Sequence, residues 1–183
     1  MDNAIITLAR TERDIHGIKK LQQQNIKRER DPQEMLREGF VTIEYSIEEL
    51  HALSGEGNHV VIKQSDTVCG YALYVPRKSF VVREDLGHLS QIAVRNYGEG
   101  HTWCIMGQVC VGSILRGKGY FRKMYHFMRD AYRDNHGGIL TDISSKNPRS
   151  LSAHMSVGFH VLDTYLDEVG VEWHIVAWPW SKP

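Results

Sequence analysis

A glycine-rich turn in the second half of the chain has the composition of an anion-binding loop. It reads Gly112-Ser113-Ile114-Leu115-Arg116-Gly117-Lys118-Gly119 and lies between a strongly β-forming run and a helical pattern. The backbone N–H groups of such a turn, and the positive end of the following helix, converge on one point. Glycine lets an anion approach the backbone closely, and Arg116 and Lys118 add positive charge. The turn therefore predicts pyrophosphate binding, although a solvated turn can have the same short pattern.

A nucleoside-triphosphate loop is a second interpretation of this turn. Gly112 and the Gly117-Lys118 pair have the spacing of that loop, but Gly119 stands where it needs a Ser or Thr to bind Mg²⁺. Asp142, near the end of an apolar strand, could be the second acid of such a site. Only 64 residues follow Gly119 (183 minus 119), and the last two predicted strands form a hairpin. The several strand–helix units that a P-loop fold requires are therefore not expected, and this is the less favoured interpretation.

A second informative stretch runs from residue 147 to residue 159. Asn147 is a natural helix N-cap and Pro148 a natural first helical residue. Asn147, Ser150 and His154 fall at i, i+3 and i+7, so they share one face of the predicted helix. The helix ends in a Gly-Phe pair at the start of the next strand.

Together the two stretches resemble the signatures of the GNAT superfamily of N-acetyltransferases. Arg116-Gly117-Lys118-Gly119 is similar to the acyl-CoA loop, Arg/Gln-x-x-Gly-x-Gly/Ala, and residues 147–159 are similar to the second signature. Phe121 replaces the final Gly/Ala of the loop. The similarity covers the chain from Trp103 on, while the N-terminal elements fit the topology without a distinctive motif.

The resemblance implies acetyl-CoA as co-substrate and no metal. The main chain of the central strand would pair with the pantetheine arm as an added strand would. The N–H groups of the loop would hold the pyrophosphate. The residues that the resemblance assigns to cofactor binding are Val109, Cys110, Val111, Arg116, Gly117, Lys118, Gly119, Tyr120, Phe121, Asn147 and Ser150.

The resemblance also implies that an acceptor amine attacks the thioester directly, with the oxyanion held by a backbone N–H near Val111. Many relatives carry Glu eight residues before the loop arginine, where this chain has Gln108. Because glutamine cannot act as a base, water relayed by Gln108 or another residue must take the proton. Many relatives carry Tyr four residues before the Gly of the Gly-Phe pair, where this chain has His154. Histidine can be an acid or a base near neutrality, and a histidine packed beside CoA is the alternative.

These departures leave a non-catalytic acyl-CoA-binding module or sensor as an alternative function. The acceptor class is open, because a small amine, antibiotic, amino acid, peptide or protein N-terminus would all suit the family. The segments Asn25–Ile47 and Lys78–Thr102, which are expected to line the acceptor pocket, carry no specific signature.

The predicted helices and strands that position these residues are those of a single domain over residues 1–183. Its order is strand, helices, hairpin, strand, helix, strand, helix and two strands. This is an α/β (α+β) fold with a GNAT-like mixed, mostly antiparallel central sheet flanked by helices. Gln22–Phe40 is predicted to continue the first helix into an irregular segment. Lys78–Thr102 is predicted to be a helical insertion that lies over a pocket or packs against the sheet.

The balance of charged residues limits the kinds of partner that the protein is expected to bind. Lysine plus arginine equals aspartate plus glutamate, 22 each, which argues against non-specific binding to nucleic acid or anionic membranes. With no long apolar run or signal-peptide pattern, we expect a cytoplasmic protein, monomeric or homodimeric. Cys69, Cys104 and Cys110 form no CxxC pair and are expected to be free and buried. The ten histidines lack metal-ligand spacing.

Overall fold

The computed structural model describes residues 4–26, 31–55, 57–82, 86–100 and 102–180, and a seven-stranded sheet runs through them. The strands are β1 (Ala4–Leu8), β2 (Val60–Gln64), β3 (Thr67–Val75), β4 (Trp103–Val111), β5 (Gly138–Ser144), β6 (His160–Leu166) and β7 (Glu172–Pro179). Their order in the sheet is β1-β2-β3-β4-β5-β7-β6. Only the β4–β5 pair is parallel among these strands, so the mixed, mostly antiparallel sheet expected from the sequence is confirmed.

Helices cover both faces of the sheet. The α-helices are α1 (Glu12–Gln23), α2 (Pro32–Glu38), α3 (Ile47–Ser54), α4 (Gly87–Tyr97), α5 (Tyr120–Tyr132) and α6 (Pro148–Val157). Because side chains alternate across a strand, each face of the sheet has its own apolar core. One core packs beneath α1, α3 and α4, and the other beneath α5 and α6.

Local signals in the sequence explain where the N-terminal helices begin. Thr11 and Asp14 form a complete capping box at the start of α1, as Ser46 and Glu49 do for α3. The expectation for the segment between them was wrong in one respect, because the first helix ends at Gln23 and α2 is a separate helix. Asp31 caps α2 by accepting from two backbone N–H groups, and a proline occupies its first turn.

The described parts of the segment between β3 and β4 are largely helical, as predicted. They are a 3₁₀ helix at Arg77–Val82 and α4, which buries Leu89 and Ala93. The helix packs on β4, β5 and β6. Leu86, just before the helix, lines a cavity described below, so the insertion both packs on the sheet and borders a pocket.

The three cysteines lie in the protein interior. All three cysteines are free and buried, as expected, with Cys104 and Cys110 on the same strand. In the parts of the chain that the structure describes, no helix combines the length and apolarity needed to cross a membrane.

Candidate active site

The central strands β4 and β5 separate after their first three residues. Their backbone pairing covers Trp103 to Ile105 on β4 and ends there. At the point of separation the Thr141 hydroxyl donates to the Met106 carbonyl, 3.0 Å away. Farther along, β4 carries a bulge, because Gly107 and Gln108 together lie opposite the single residue Leu73 of β3. Bulges of this kind re-aim side chains and backbone groups and are common beside active sites.

Two cavities meet at this separation. One has a volume of about 490 Å³ and lies between the glycine-rich loop, α2 and α6. The other has a volume of about 340 Å³ and lies toward α4 and the β6–β7 turn. We call the first the arginine cavity, after the side chains described below, and the second the carboxylate cavity, after its lining residues Asp142 and Asp167. The residues that line both are Phe40, Val41, Val109, Asn147 and Ser150.

The arginine cavity is lined by far more positive than negative side chains. Among the described residues, its charged lining residues are Arg37, Glu38, Arg116, Arg122 and Arg149. Four guanidinium groups against one carboxylate create a field that favours a polyanion, and Arg binds phosphate oxygens through paired N–H donors.

The glycine-rich loop forms the floor of the arginine cavity. Gly117 and Gly119 have φ angles of +73° and +77°, a region where residues other than glycine are strained. A Cβ at either position would extend into open space, so the strand-to-helix turn presents bare backbone. Gly119 is also the N-cap of α5 and supplies no capping side chain. The first N–H groups of α5 therefore remain for a ligand, since Tyr120, Phe121 and Arg122 line the cavity.

The side chain of Arg116 makes its hydrogen bonds within the protein. Its Nε donates to the Val111 carbonyl (2.9 Å), one terminal nitrogen donates to Asn25 Oδ1 (2.7 Å), and the other pairs with Glu38 of α2. Arg116 thus ties α2 to the start of the loop. Its charge contributes to the cavity, but its N–H donors hold the loop rather than point at a ligand.

The first turn of α6 is built as the sequence predicts. Asn147 Oδ1 caps the helix by accepting from the Ser150 N–H, and Asn147 Nδ2 donates to the Phe40 carbonyl. Asn147 therefore joins α6 to the segment after α2, across the mouth between the two cavities. Asn147, Ser150 and His154 all line the carboxylate cavity, as expected for residues on one helical face.

Gln108 is held by hydrogen bonds in the wall of the carboxylate cavity. Its Oε1 accepts from Gln22 Nε2 (2.8 Å) and from the Tyr71 hydroxyl (2.5 Å), and its Nε2 donates to the Ile43 carbonyl (2.8 Å). These contacts fix the amide between α1, β3 and the segment after α2. Both lone pairs of Oε1 are used, so Gln108 is a rigid part of the wall.

His154 is buried and neutral. It is 1% exposed, and this burial lowers its pKa to about 4. Its Nδ1 lies 2.8 Å from the Ser150 carbonyl, so Nδ1 carries the proton and Nε2 accepts from the Tyr125 hydroxyl at 2.6 Å. Phe121, Phe159 and Tyr125 surround the ring edge-on. In this arrangement both ring nitrogens are occupied, which favours the packing alternative for His154.

Of the eleven residues assigned to cofactor binding, ten line the arginine cavity and Lys118 does not. The two residues assigned to catalysis, Gln108 and His154, line the carboxylate cavity. The sequence analysis missed the cavity's other arginines, Arg37, Arg122 and Arg149. Arg122 and Arg149 lie in the first turns of α5 and α6, whose starts the sequence predicts. A basic residue in the first turn of a helix beside the predicted anion site was therefore a signal in the sequence for both.

Comparison with known proteins rests on structure alone. No protein-family model matches the sequence, and no curated protein matches it significantly. The ribosomal-protein-S18-alanine N-acetyltransferase of Escherichia coli has a similar structure, with a TM-score of 0.65 and 13% identity over 98% of this chain and 96% of that one.

Two further solved structures resemble the chain over nearly their whole length. Arabidopsis thaliana Naa50, in complex with the bisubstrate analogue CoA-Ac-MVNAL, has a TM-score of 0.64 at 13% identity, covering 97% of this chain and 99% of that one. A ribosomal-protein-alanine N-acetyltransferase from Brucella melitensis has a TM-score of 0.60 at 19% identity, covering 96% and 99%. The chain therefore has the fold of the GNAT N-acetyltransferases.

Proposed function

We propose that the protein is an acetyl-CoA-dependent N-acetyltransferase that acts on a primary amine. The observation that carries the proposal is the arginine cavity with its uncapped helix α5, which opens onto the separation of β4 and β5 beside a second cavity. One cavity suits an anionic cofactor and the other offers room for an acceptor. The gap between the strands joins them, as transfer of a group from one molecule to the other requires.

The residues of the arginine cavity fit CoA by charge and shape. The loop from Gly117 to Phe121 would hold the pyrophosphate through backbone N–H groups, and Arg122 and Arg149 would neutralise phosphate charge. Beyond Ile105, the edge of β4 that faces β5 has no strand partner among the described residues. Val109, Cys110 and Val111 would pair there with the amide groups of the pantetheine arm.

Acetyl-CoA would supply the thioester that the acceptor nitrogen attacks. A backbone N–H of β4 near Val111 would stabilise the oxyanion, on the stretch of β4 that no longer pairs with β5. Gln108 would orient the acceptor or a water molecule and would not take the proton itself. His154 would act by holding α6 against Tyr125 of α5, since both of its ring nitrogens are occupied.

Amine-dependent release of CoA tests the proposal. Purified protein is incubated with acetyl-CoA and a panel of primary amines, and free thiol is followed with a colorimetric disulfide. We expect steady release of CoA above the rate of acetyl-CoA hydrolysis for at least one class of amine, with the acetylated amine identified by mass spectrometry. Binding of acetyl-CoA without release for any amine would support the non-catalytic acyl-CoA-binding module.

The same preparation separates the cofactor hypothesis from the nucleotide hypothesis. At a hundredfold excess over its dissociation constant, acetyl-CoA should stabilise the fold by about 2.7 kcal/mol, which raises the melting temperature by several degrees. ATP with Mg²⁺ should have much less effect, because Gly119 offers no hydroxyl for the metal. Stabilisation by ATP and none by acetyl-CoA would contradict the proposal.

A further inference from the structure

Residues 39–45 form an irregular strap between α2 and α3 that lies between the two cavities. Apart from a β-bridge at Val41, no residue of this strap belongs to a helix or a strand. Phe40 and Val41 line both cavities, and Thr42, Ile43 and Tyr45 line the carboxylate cavity. Because the strap has so little regular structure, its position depends on hydrogen bonds from the elements around it.

Two side-chain amides hold the strap by its carbonyl groups. Asn147 Nδ2, from the start of α6, donates to the Phe40 carbonyl at 3.1 Å. Gln108 Nε2, from β4, donates to the Ile43 carbonyl at 2.8 Å. Gln108 therefore ties the middle of the strap to the central sheet, on the side where the strap lines the carboxylate cavity.

The surroundings of the Gln108 amide fix which of its atoms faces the strap. The Ile43 carbonyl can only accept, so the atom that meets it must be the nitrogen. On the other side, Gln108 Oε1 accepts from the Tyr71 hydroxyl and from Gln22 Nε2, whose residues are both fully buried. Position 108 thus requires a group that accepts on one side and donates on the other.

An ionised glutamate at position 108 could satisfy only one side of this arrangement. Its first oxygen would keep the donors from Tyr71 and Gln22, but its second oxygen would face the Ile43 carbonyl with no proton between them. A protonated glutamate would donate to that carbonyl and restore all three hydrogen bonds. The amide of Gln108 provides the donor at every pH.

We propose that Gln108 is a positioning residue that fixes the strap, and with it the wall of the carboxylate cavity, by donating to the Ile43 carbonyl. This inference rests on the proposed acetyl transfer, because it treats the carboxylate cavity as the site of the acceptor. It assigns the amide to the shape of the acceptor site and not to proton transfer. Replacing Gln108 by glutamate is therefore expected to weaken acceptor binding and not to supply a base.

Titratable groups around position 108 would shift the midpoint at which a glutamate there ionises, but not the direction of its effect. Burial raises the pKa of Tyr71 well above its ordinary value, so its hydroxyl remains a donor. The direction follows from the Ile43 carbonyl, which needs a proton from position 108. The titratable side chains that line the same cavity, lie beside Tyr71 or belong to the ion pair between α1 and the strap are Lys19, Glu44, Tyr45, Tyr71, Cys110, Asp142, His154 and Asp167.

Hydrogen exchange at the two ends of the strap tests the inference without an acceptor. The Val41 N–H donates to the Asn25 carbonyl, and the Ser46 N–H donates to Glu49 Oε2, so both amides report opening of the strap. In Gln108→Glu at about pH 8, their protection should fall about tenfold relative to wild type, because the Ile43 carbonyl loses its donor. The protection should return toward that of wild type as pH falls to about 5, since burial and the missing donor raise the pKa of the introduced glutamate above its ordinary value of about 4.3.

Two further variants separate the hydrogen bond from packing and from charge. Gln108→Met has a similar length and no donor, so its loss of protection should be the same at every pH. Gln91→Glu is the matched control for charge, because Gln91 is exposed on α4 and does not line the carboxylate cavity. Unchanged exchange in β5 and β7 shows that each variant remains folded. Protection like that of wild type in Gln108→Glu at about pH 8, or equal losses in Gln108→Glu and Gln108→Met at every pH, would overturn the inference.

Steady-state kinetics then separates positioning from proton transfer. For the amine identified by release of CoA, Gln108→Glu should raise KM about tenfold at about pH 8 and leave kcat within about twofold of wild type. A glutamate that acts as a base would raise kcat instead, and that result would also overturn the inference. If the wild type acetylates no amine, the acetyl transfer itself is contradicted, while the exchange measurements still decide whether Gln108 holds the strap.

Discussion

The two cavities at the separation of β4 and β5 differ in the charged side chains among their described lining residues and are built in different ways. The arginine cavity presents backbone from a glycine-rich loop and guanidinium groups from three helices and the loop. The carboxylate cavity presents side chains from strands and has no cationic residue among its described lining. Phosphates are recognised through many similar donors, and the backbone and guanidinium groups of the arginine cavity suit that task.

The wall between the two cavities is uncharged at neutral pH. Phe40, Val41 and Val109 are apolar, Asn147 and Ser150 are neutral, and His154 behind them is held in its neutral form by burial. A neutral wall leaves the region where the thioester would lie without an ionised side chain among the described residues that the two cavities share.

Acidification should charge the wall and destabilise the fold. The pKa of His154 is about 4 in the folded protein, below the ordinary value of 6.5, so the unfolded chain binds the proton first as pH falls. The stabilisation is fully present above pH 6.5 and is lost as pH falls toward 4, by about 3 kcal/mol for this residue. Urea unfolding of wild type and His154→Phe at several pH values measures the difference. The wild type should lose more stability than the variant between pH 6.5 and 4; equal slopes would contradict a neutral, buried His154.

A side chain on the loop should remove the anion site. Gly119→Val would place a branched side chain where the backbone meets the cavity and should weaken acetyl-CoA binding by at least about a hundredfold. Gly170→Val is a matched control, because Gly170 has the same φ of +77° and equally open surroundings in the β6–β7 turn. Both variants carry the same backbone strain, so similar melting temperatures with only Gly119→Val losing affinity would locate the pyrophosphate at the loop. Unchanged affinity in Gly119→Val would mean that the anion binds elsewhere.

Removing the acid Glu38 from the described lining of the arginine cavity should have a smaller effect of opposite sign. Glu38→Gln keeps a hydrogen-bond acceptor for Arg116 but deletes a negative charge from the lining. We expect acetyl-CoA to bind about twofold to fivefold more tightly at low salt, and less so as salt screens the cavity. Glu168→Gln, in the exposed β6–β7 turn, controls for net charge. Weaker binding in Glu38→Gln would mean that the ion pair with Arg116 shapes the loop more than it opposes the ligand.

Much of the arginine cavity follows from sequence because its parts are local. The strand, the glycine turn, the start of α5 and the Asn147 cap each depend on residues within a few positions of one another. The ion pair between Arg116 and Glu38 could not be predicted, because the two residues are 78 positions apart. Glu38 also lies on α2, which the sequence analysis did not recognise as a separate helix. Asp31 followed by Pro32 was the signal for that helix.

The carboxylate cavity could not be derived in the same way. Asp142 and Tyr165 are 23 positions apart and meet only because β7 lies between β5 and β6 in the sheet. The sequence suggested a different role for Asp142, as a second acid of a nucleotide site, and the mostly antiparallel sheet excludes that fold. The roles of Gln108 and His154 depend on partners from α1, β3 and α5, which pattern alone does not bring together.

A crystal structure of the protein with acetyl-CoA would test the central claim most directly. The account predicts pyrophosphate oxygens within hydrogen-bonding distance of the backbone N–H groups between Gly117 and Phe121, and the pantetheine arm along Val109–Val111. The acetyl group should lie at the separation of β4 and β5, on the wall shared by the two cavities. Density for the cofactor in any other cavity, or along the carboxylate cavity with the loop empty, would contradict the account.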